Sequence, residues 1–399
     1  MPDFRAFSAL RYARDTDLST VLSPPYDVLS AADVEQLYGR SRHNITHVDV
    51  PANQDYLAAA SLMQTWIDTK VLVRDTEETL SIYRMEFCDA WGVKRQIVGV
   101  LGGLEVVDEN PVGGATTVLG HERTTPKAKT DRLDLTRATA TNLSPVWGLS
   151  LAKGLTDALQ EPGAFVGEIE VDQAIHRVEM ISDQARIDRI RTIMASDDVL
   201  ISDGHHRYAV SRTYRDEVRA STGRNDTAAE QTLTFVSELI EDQLCIEAIH
   251  RVYSEVSPAN LRAGLASCFD FSPIEQVSDE LLAAMVEQGR LVLLWPDGSA
   301  QWLIPIDGAF DSIRSLDGLW LETALANTAI NLAYQHGFTE TLNMVTSGAV
   351  TAGVLIRPTS IAEIRRTARE RLLMPPKSTF FTPKLLTGWV IRPTEPLPK

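Results

Sequence analysis

Twelve residues, Asp197 to Tyr208, constrain this chain more than any other stretch. Asp197-Asp198-Val199-Leu200-Ile201-Ser202 is a short apolar run led in by acids, as a buried strand would be. Asp203-Gly204-His205-His206-Arg207-Tyr208 follows, and then Val210, Tyr214 and Val218 recur every four residues, which gives one helical face. The spacing predicts a strand running through a tight turn into a helix. Ser202 or Asp203 is placed to cap that helix, and Gly204 lets backbone approach a ligand closely. A helix amino terminus carries N–H groups without intrahelical partners and a partial positive charge, so it seats anions. Arg207 can fork onto a phosphate or carboxylate. The segment therefore reads as a phosphate-handling turn. A surface turn with incidental histidines is the competing reading. A protein-ligated metal site is disfavoured, because adjacent histidines point apart on a helix and neither a Cys cluster nor HExxH accompanies them. Mg²⁺ carried by a phosphorylated substrate would leave little trace in sequence.

The chain has 399 residues, enough for two or three lobes, with 44% hydrophobic and 23% charged residues. Its net charge of −16 opposes a nucleic-acid surface. Cys88, Cys245 and Cys268 are far apart and form no CxxC, so disulfides are not expected and a reducing cytoplasm fits. The start shows no signal pattern, and the most apolar runs are too short to span a bilayer. The expected partner is thus a small-molecule substrate, not nucleic acid or membrane, in a cytoplasmic protein; the oligomeric state is not legible.

Secondary structure reads as interleaved. Helices are expected after Ser30, which with Asp33 makes a capping box, over 54–69, over 187–194, over 282–288, over 321–334 and over 361–373. Strands are expected over 80–87 with partner 94–107, over 232–240 paired with 245–252, as a hairpin of 291–295 and 301–306 around Pro296-Asp297-Gly298, and over 385–391. The threonine-rich segment 113–141 should contain loops. The fold class is α+β, mixed sheets with flanking helices. An amino-terminal lobe over 1–150 and a second over 151–399 are expected, the carboxy-terminal segment returning to a shared site.

Two further clusters suit an anionic ligand. From His121 to Arg137, five cations (Arg123, Lys127, Lys129, Arg132, Arg137) face three acids (Glu122, Asp131, Asp134), a local excess against the chain's overall charge. Glu122, between His121 and Arg123, is a candidate general base; a solvated loop leading into a helix explains the same residues. Near the end, Lys377-Ser378-Thr379 and Pro383-Lys384 follow Pro375-Pro376, which stiffen the backbone, although spacing alone favours a simple helix stop followed by a terminal strand. Ser23-Pro24-Pro25-Tyr26-Asp27 is a stiff turn that could present Asp27, and His250-Arg251 reads as structural. The chain contains no GxSxG, Walker loop or GxGxxG.

Pro24-Pro25-Tyr26-Asp27-Val28, His121-Glu122-Arg123-Thr124 with Asp131-Arg132 and Asn142-Leu143-Ser144-Pro145, the Asp203–Tyr208 turn, His250-Arg251, and Met374 to Thr379 with Pro383-Lys384 together resemble the bacterial and archaeal family called domain of unknown function 1015. The motifs come in order from about residue 4 to 392, with small departures at Thr125 and Phe381. The turn is also similar to the Asp-Gly-His-x-Arg turn of the ParB/sulfiredoxin-like fold, which includes CTP-binding partition proteins, sulfiredoxin and free-serine kinases. The resemblance implies a ParB/sulfiredoxin-like core and phosphorylation of a free hydroxy amino acid such as L-serine, with pyrophosphate or a nucleotide as donor and substrate-bound Mg²⁺. Carried over, Asp203 would hold the substrate amine or hydroxyl. His205, His206 and Arg207, with Gly204 allowing close approach, would bind phosphates, and Glu122 would be the base. The alternatives are a ParB-like nucleotide-binding regulator without turnover and a sulfiredoxin-like redox enzyme, which would need a reactive cysteine beside the turn.

Overall fold

The computed structural model describes residues 1–89, 92–108, 116–120 and 128–394, the side chains of 128–130 and 368 excepted. Its chain divides into two compact units, Met1–Cys245 with Pro383–Lys399, and Ile246–Thr382. Each combines sheets and helices, so the fold class is α+β.

The first unit is built on a nine-stranded sheet whose strands are β1 (Phe4–Arg5), β2 (Leu80–Cys88), β3 (Lys94–Glu105), β4 (Val118–Gly120), β5 (Val146–Ser150), β6 (Ala164–Val171), β7 (Ala174–Ile181), β8 (Val199–Asp203) and β9 (Gln231–Glu238). Their spatial order is β4-β8-β5-β9-β3-β2-β7-β6, with β1 added along β3. The sheet is mixed: β8 runs parallel to β4, and β9 parallel to β5, while the other neighbours are antiparallel. The boundary expected at residue 150 falls at the end of β5, which hydrogen-bonds to β8 on one side and β9 on the other. No break between units is possible there. The chain instead leaves this unit after Cys245 and returns at Pro383.

Five helices of this unit are α1 (Ala31–Arg40), α2 (Tyr56–Asp68), α3 (Ala128–Thr139), α4 (Gln184–Met194) and α5 (His205–Thr222). The Ser30/Asp33 capping box opens α1 as its sequence requires. α4 buries Ile187, Ile190 and Met194 in a cluster with Val98, Val100, Val199 and Ile201 of the sheet. α5 buries Val210, Tyr214 and Val218 against Leu133 of α3. The fourfold spacing thus becomes a packed face, each large side chain contributing roughly 1.5–3 kcal/mol on leaving water. β2, β3 and β9 are buried along most of their length rather than alternately, so both faces of the sheet are covered.

The second unit holds a six-stranded antiparallel sheet of β10 (Ile249–Ser254), β11 (Phe269–Ile274), β12 (Leu291–Leu294), β13 (Ala300–Pro305), β14 (Asn331–His336) and β15 (Ala352–Leu355), ordered β11-β13-β12-β15-β10-β14. The run Leu291 to Leu294 is split by its pleat: Leu291 and Leu293 enter one apolar cluster, Val292 and Leu294 another.

Three expectations change. Residues 232–240 and 245–252 do not pair; β9 lies between β5 and β3, and β10 lies between β14 and β15 of the other sheet. The helix expected over 321–334 ends at Ala324, and Asn331–His336 is strand β14. Residues 385–391 make isolated bridges, Thr387 with Ser23 and Ile391 with Leu10, and the strand lies just beyond them at Arg392–Pro393. Within 113–141, where loops are expected, the described residues include β4 and the twelve residues of α3, and 113–115 and 121–127 lie outside the described residues. Among the described residues, no helix is long and apolar enough to cross a membrane.

Candidate functional site

β8 is buried from Val199 to Ser202, and its pairing with β5 shifts register between Ile201 and Asp203. The Ser202 hydroxyl donates to the Trp147 carbonyl at 3.0 Å, which holds the end of the strand. Gly204 then takes φ 85° and ψ 27° as the residue opening α5, and no side chain caps that helix. A Cβ at Gly204 would lie 3.1 Å from Arg207 Nε and 3.2 Å from Val146 Cα, so the turn needs glycine for conformation and for space.

Neither Ser202 nor Asp203 acts as the expected cap. Asp203 instead accepts from Arg207 Nη2 at 2.8 Å through Oδ2, while Oδ1 lies 3.5 Å from Lys384 Nζ. Arg207 Nη1 donates to the Pro145 carbonyl. Asp27, delivered by the 3₁₀ turn Tyr26–Val28 after two prolines, sits 3.7 Å from Arg207 Nη2. The Arg207 side chain is only 9% exposed. Burial opposes its charge, but Asp27 and Asp203 outweigh that and raise its pKa above the ordinary arginine value. It is a permanently charged cation whose fork is turned into the protein, not outward as the sequence suggests.

Beside Arg207 is a cavity of about 50 Å³ whose lining includes Tyr26, Asp49, Arg132, Ser144 and Ser211. Arg132 donates to the Asp49 carbonyl at 2.6 Å and to Asp49 Oδ1 at 3.2 Å, and lies 2.7 Å from Asp131 Oδ2. Its guanidinium also covers the Tyr26 ring at 4.2 Å. Asp49 is 3% exposed; burial pushes its carboxyl upward and Arg132 and Arg207 pull it back. Burial also pushes the Tyr26 phenol up to about 12. Asp49 Oδ2 and Arg207 Nε are both buried, and neither has a hydrogen-bond partner among the described residues. Two orphaned atoms of opposite charge on neighbouring groups are a costly arrangement that a polar ligand or water in the cavity would relieve.

The structure therefore brings Asp27, Arg132, Asp203, Gly204, Arg207 and Lys384 together. His205 and His206 occupy the first turn of α5, half-buried, with the His205 ring beside Gly120. His121, Glu122, Arg123 and Lys127 lie outside the described residues, and Lys129 is described only as part of α3. Lys377 and Ser378 belong to the second unit, where Arg251 donates to the Lys377 carbonyl at 3.1 Å and Ser378 Oγ to the Pro375 carbonyl at 2.7 Å. His250 is structural: its Nδ1 accepts from the Ile356 amide at 3.2 Å, and burial lowers its pKa to about 4. Sequence reasoning passed over Asp49 and gave Tyr26 no role. A single acid inside Val48-Asp49-Val50 was the available signal, since a buried carboxylate needs a partner. Among the described residues, no group of three or more His, Cys, Asp or Glu is placed to hold a metal.

The model of a family described as "Protein of unknown function (DUF1015)" matches residues 4–319. No curated protein matches the chain with significance. Similar solved structures include a free serine kinase in complex with AMP, 11% identical over 67% of this chain and 84% of that one, with a TM-score of 0.38. A conserved hypothetical protein from Pyrococcus furiosus is 12% identical over 67% of this chain and 87% of its own, at 0.37. SbnI with a C-terminal truncation, from Staphylococcus aureus, is 12% identical over 72% and 85%, at 0.40.

Proposed function

The chain belongs to the DUF1015 family, and from that membership and the geometry of its turn we propose that it is a phosphotransferase acting on a small hydroxy compound, L-serine first, with pyrophosphate or a nucleotide as donor. The observation that supports this most is the ion cluster around Arg207. An arginine buried to 9% exposure is clamped by Asp203 at 2.8 Å, and Lys384 stands 3.5 Å from that same carboxylate, at the amino end of an 18-residue helix. Phosphoryl transfer asks for positioning and charge neutralisation more than for covalent chemistry, and fixed cations at a helix amino terminus supply both.

In this reading the donor's phosphates lie against the start of α5, where His205 and His206 line the first turn and Lys384 and Arg207 offset their charge. Asp203 orients the acceptor's amine or hydroxyl. The acceptor oxygen bonds to the transferred phosphorus as the bond to the leaving phosphate or nucleotide breaks, and Glu122 takes the hydroxyl proton. Asp27 and Asp203 are already engaged with Arg207, so Mg²⁺ would arrive on the donor's phosphates and supply further charge neutralisation there.

The test is direct. Purified full-length protein is incubated with L-serine, Mg²⁺ and, separately, pyrophosphate, ADP and ATP, and phosphoserine is followed by ³¹P NMR and mass spectrometry. One donor should yield product, and Asp203→Asn should abolish it. No phosphorylated product across a panel of small hydroxy compounds, with tight nucleotide binding retained, would replace this reading with a regulatory one.

A further inference from the structure

A second cavity of the first unit, of about 430 Å³, shares no lining residue with the one at the turn. Its size is that of a small-ligand pocket, for which roughly 300–1,000 Å³ is typical. Three arginines line it, Arg11, Arg14 and Arg74, against two acids, Asp75 and Glu77. In a chain of net charge −16 that is a local reversal of sign.

Arg11 is 7% exposed and almost fully committed. Its Nε lies 3.1 and 2.9 Å from the two oxygens of Asp75, and its Nη2 donates to Thr79 Oγ1 at 3.2 Å and Ser81 Oγ at 2.8 Å. Nη1 is buried and has no hydrogen-bond partner among the described residues. With Nε and Nη2 matched so closely, the two N–H donors of Nη1 are left for an acceptor to fill. Arg14 and Arg74 are exposed at the wall, with no carboxylate in ion-pair reach among the described residues. The lining also has apolar residues: Leu18, Met180, Trp389, and Phe165, which is 66% exposed. The Arg177 guanidinium lies 5.7 Å from the centre of the Phe165 ring, and an exposed aromatic beside Arg14 and Arg74 is a surface suited to a flat organic anion.

We propose that this cavity is a binding site for a small organic carboxylate with a flat apolar body, its anionic end among Arg11, Arg14 and Arg74 and its body against Phe165 and Trp389. The site stands apart from the turn and does not depend on the activity proposed for it.

Indole-3-acetate is the probe, titrated calorimetrically into the full chain, with uncharged indole-3-ethanol as the control. Saturable one-to-one binding is expected, with the alcohol at least tenfold weaker. Arg14→Glu and Arg74→Glu, both on exposed side chains that do not hold the fold, should each weaken the carboxylate tenfold or more. Asp203→Asn should leave its affinity unchanged. Absence of saturable binding, equal affinity for acid and alcohol, or affinity indifferent to both arginine reversals would each overturn the proposal. Loss of binding in Asp203→Asn would place the ligand at the turn and overturn it equally.

Discussion

Arg207 Nη2 lies 2.8 Å from Asp203 Oδ2, one helical turn away across Gly204, with the guanidinium 9% exposed and the carboxylate 25% exposed. The acid thus spends its hydrogen bond on a buried cation rather than on capping α5. A cap is worth about 1 kcal/mol, whereas leaving a buried charge without its partner costs several. Asp203→Asn keeps the shape and removes the charge. Because Asp27 and the Pro145 carbonyl still hold Arg207, the loss of stability should be modest, about 1–3 kcal/mol. Urea unfolding with an unchanged m-value should show it. Phosphotransfer should fall below detection. Lys384→Met, which removes the second cation beside Asp203, should leave stability within about 0.5 kcal/mol and still weaken pyrophosphate or nucleotide binding tenfold or more.

Gly204 and Gly223 open and close the same helix, both with positive φ, 85° and 69°. They differ in surroundings. A Cβ at Gly204 would press on Arg207 at 3.1 Å and Val146 at 3.2 Å, whereas nothing lies within 4 Å of one at Gly223. Alanine at either should cost about 1 kcal/mol for the left-handed backbone. Only Gly204→Ala should also displace the Arg207 guanidinium, adding to that cost and lowering phosphotransfer at least tenfold. Equal effects of the two substitutions on activity would contradict the close-approach role of Gly204.

The turn was legible because its signals are local. An apolar run, a glycine and a fourfold apolar spacing specify strand, turn and helix within about twenty residues, and β8 and α5 stand where that pattern puts them. The hairpin of β12 and β13 was legible for the same reason, with Pro296-Asp297-Gly298 at its tip. What escaped depends on residues far apart in the chain. Asp49 meets Arg132 across 83 positions, and Lys384 meets Asp203 across 181. The helical spacing over 321–334 carries the expected helix into Asn331–His336, where pairing with β10 makes a strand instead. The boundary between units was invisible because the chain passes through it without any change of composition.

Arg132 and Asp49 give a prediction whose size changes with pH. Asp49 is buried at 3% exposure and its Oδ1 accepts from Arg132 at 3.2 Å. Arg132→Met should therefore leave an unpaired buried carboxylate and cost roughly 3–5 kcal/mol at pH 7. Burial already raises the Asp49 pKa, and Arg132 is the first group opposing that rise. In the variant the pKa should climb further, so Asp49 takes up a proton on mild acidification and the penalty shrinks. The difference in unfolding free energy between the two proteins should be smaller at pH 5 than at pH 7. A gap that stays the same at both pH values would show that Arg132 acts through packing on Tyr26 alone.

His176 and His250 should each make the stability of its own unit fall in mild acid. His176 is 1% exposed, with Nδ1 2.9 Å from the Tyr83 hydroxyl. That hydroxyl also accepts from the Leu386 amide at 3.2 Å, so the imidazole is held inside a closed polar contact. Burial lowers the pKa of each histidine from 6.5 to about 4. The sign follows from the depressed folded-state value. Above pH 6.5 both folded and unfolded chains carry the neutral ring, and the stability is fully present. Between pH 6.5 and 4 the unfolded chain binds a proton that the folded chain refuses, so stability is lost as pH falls, by up to about 3 kcal/mol per histidine. Because the two lie in different units, one global transition is not assumed. Each is followed by a local probe, Trp147 fluorescence for the first and Trp320 for the second, in single-tryptophan backgrounds. His176→Gln retains an acceptor for Tyr83 and cannot titrate. It should flatten the pH dependence of the Trp147 transition between pH 6.5 and 4 while leaving the Trp320 transition unchanged. His250→Gln should do the reverse, and a slope unaltered by either substitution would assign the acid sensitivity to the carboxylate network instead.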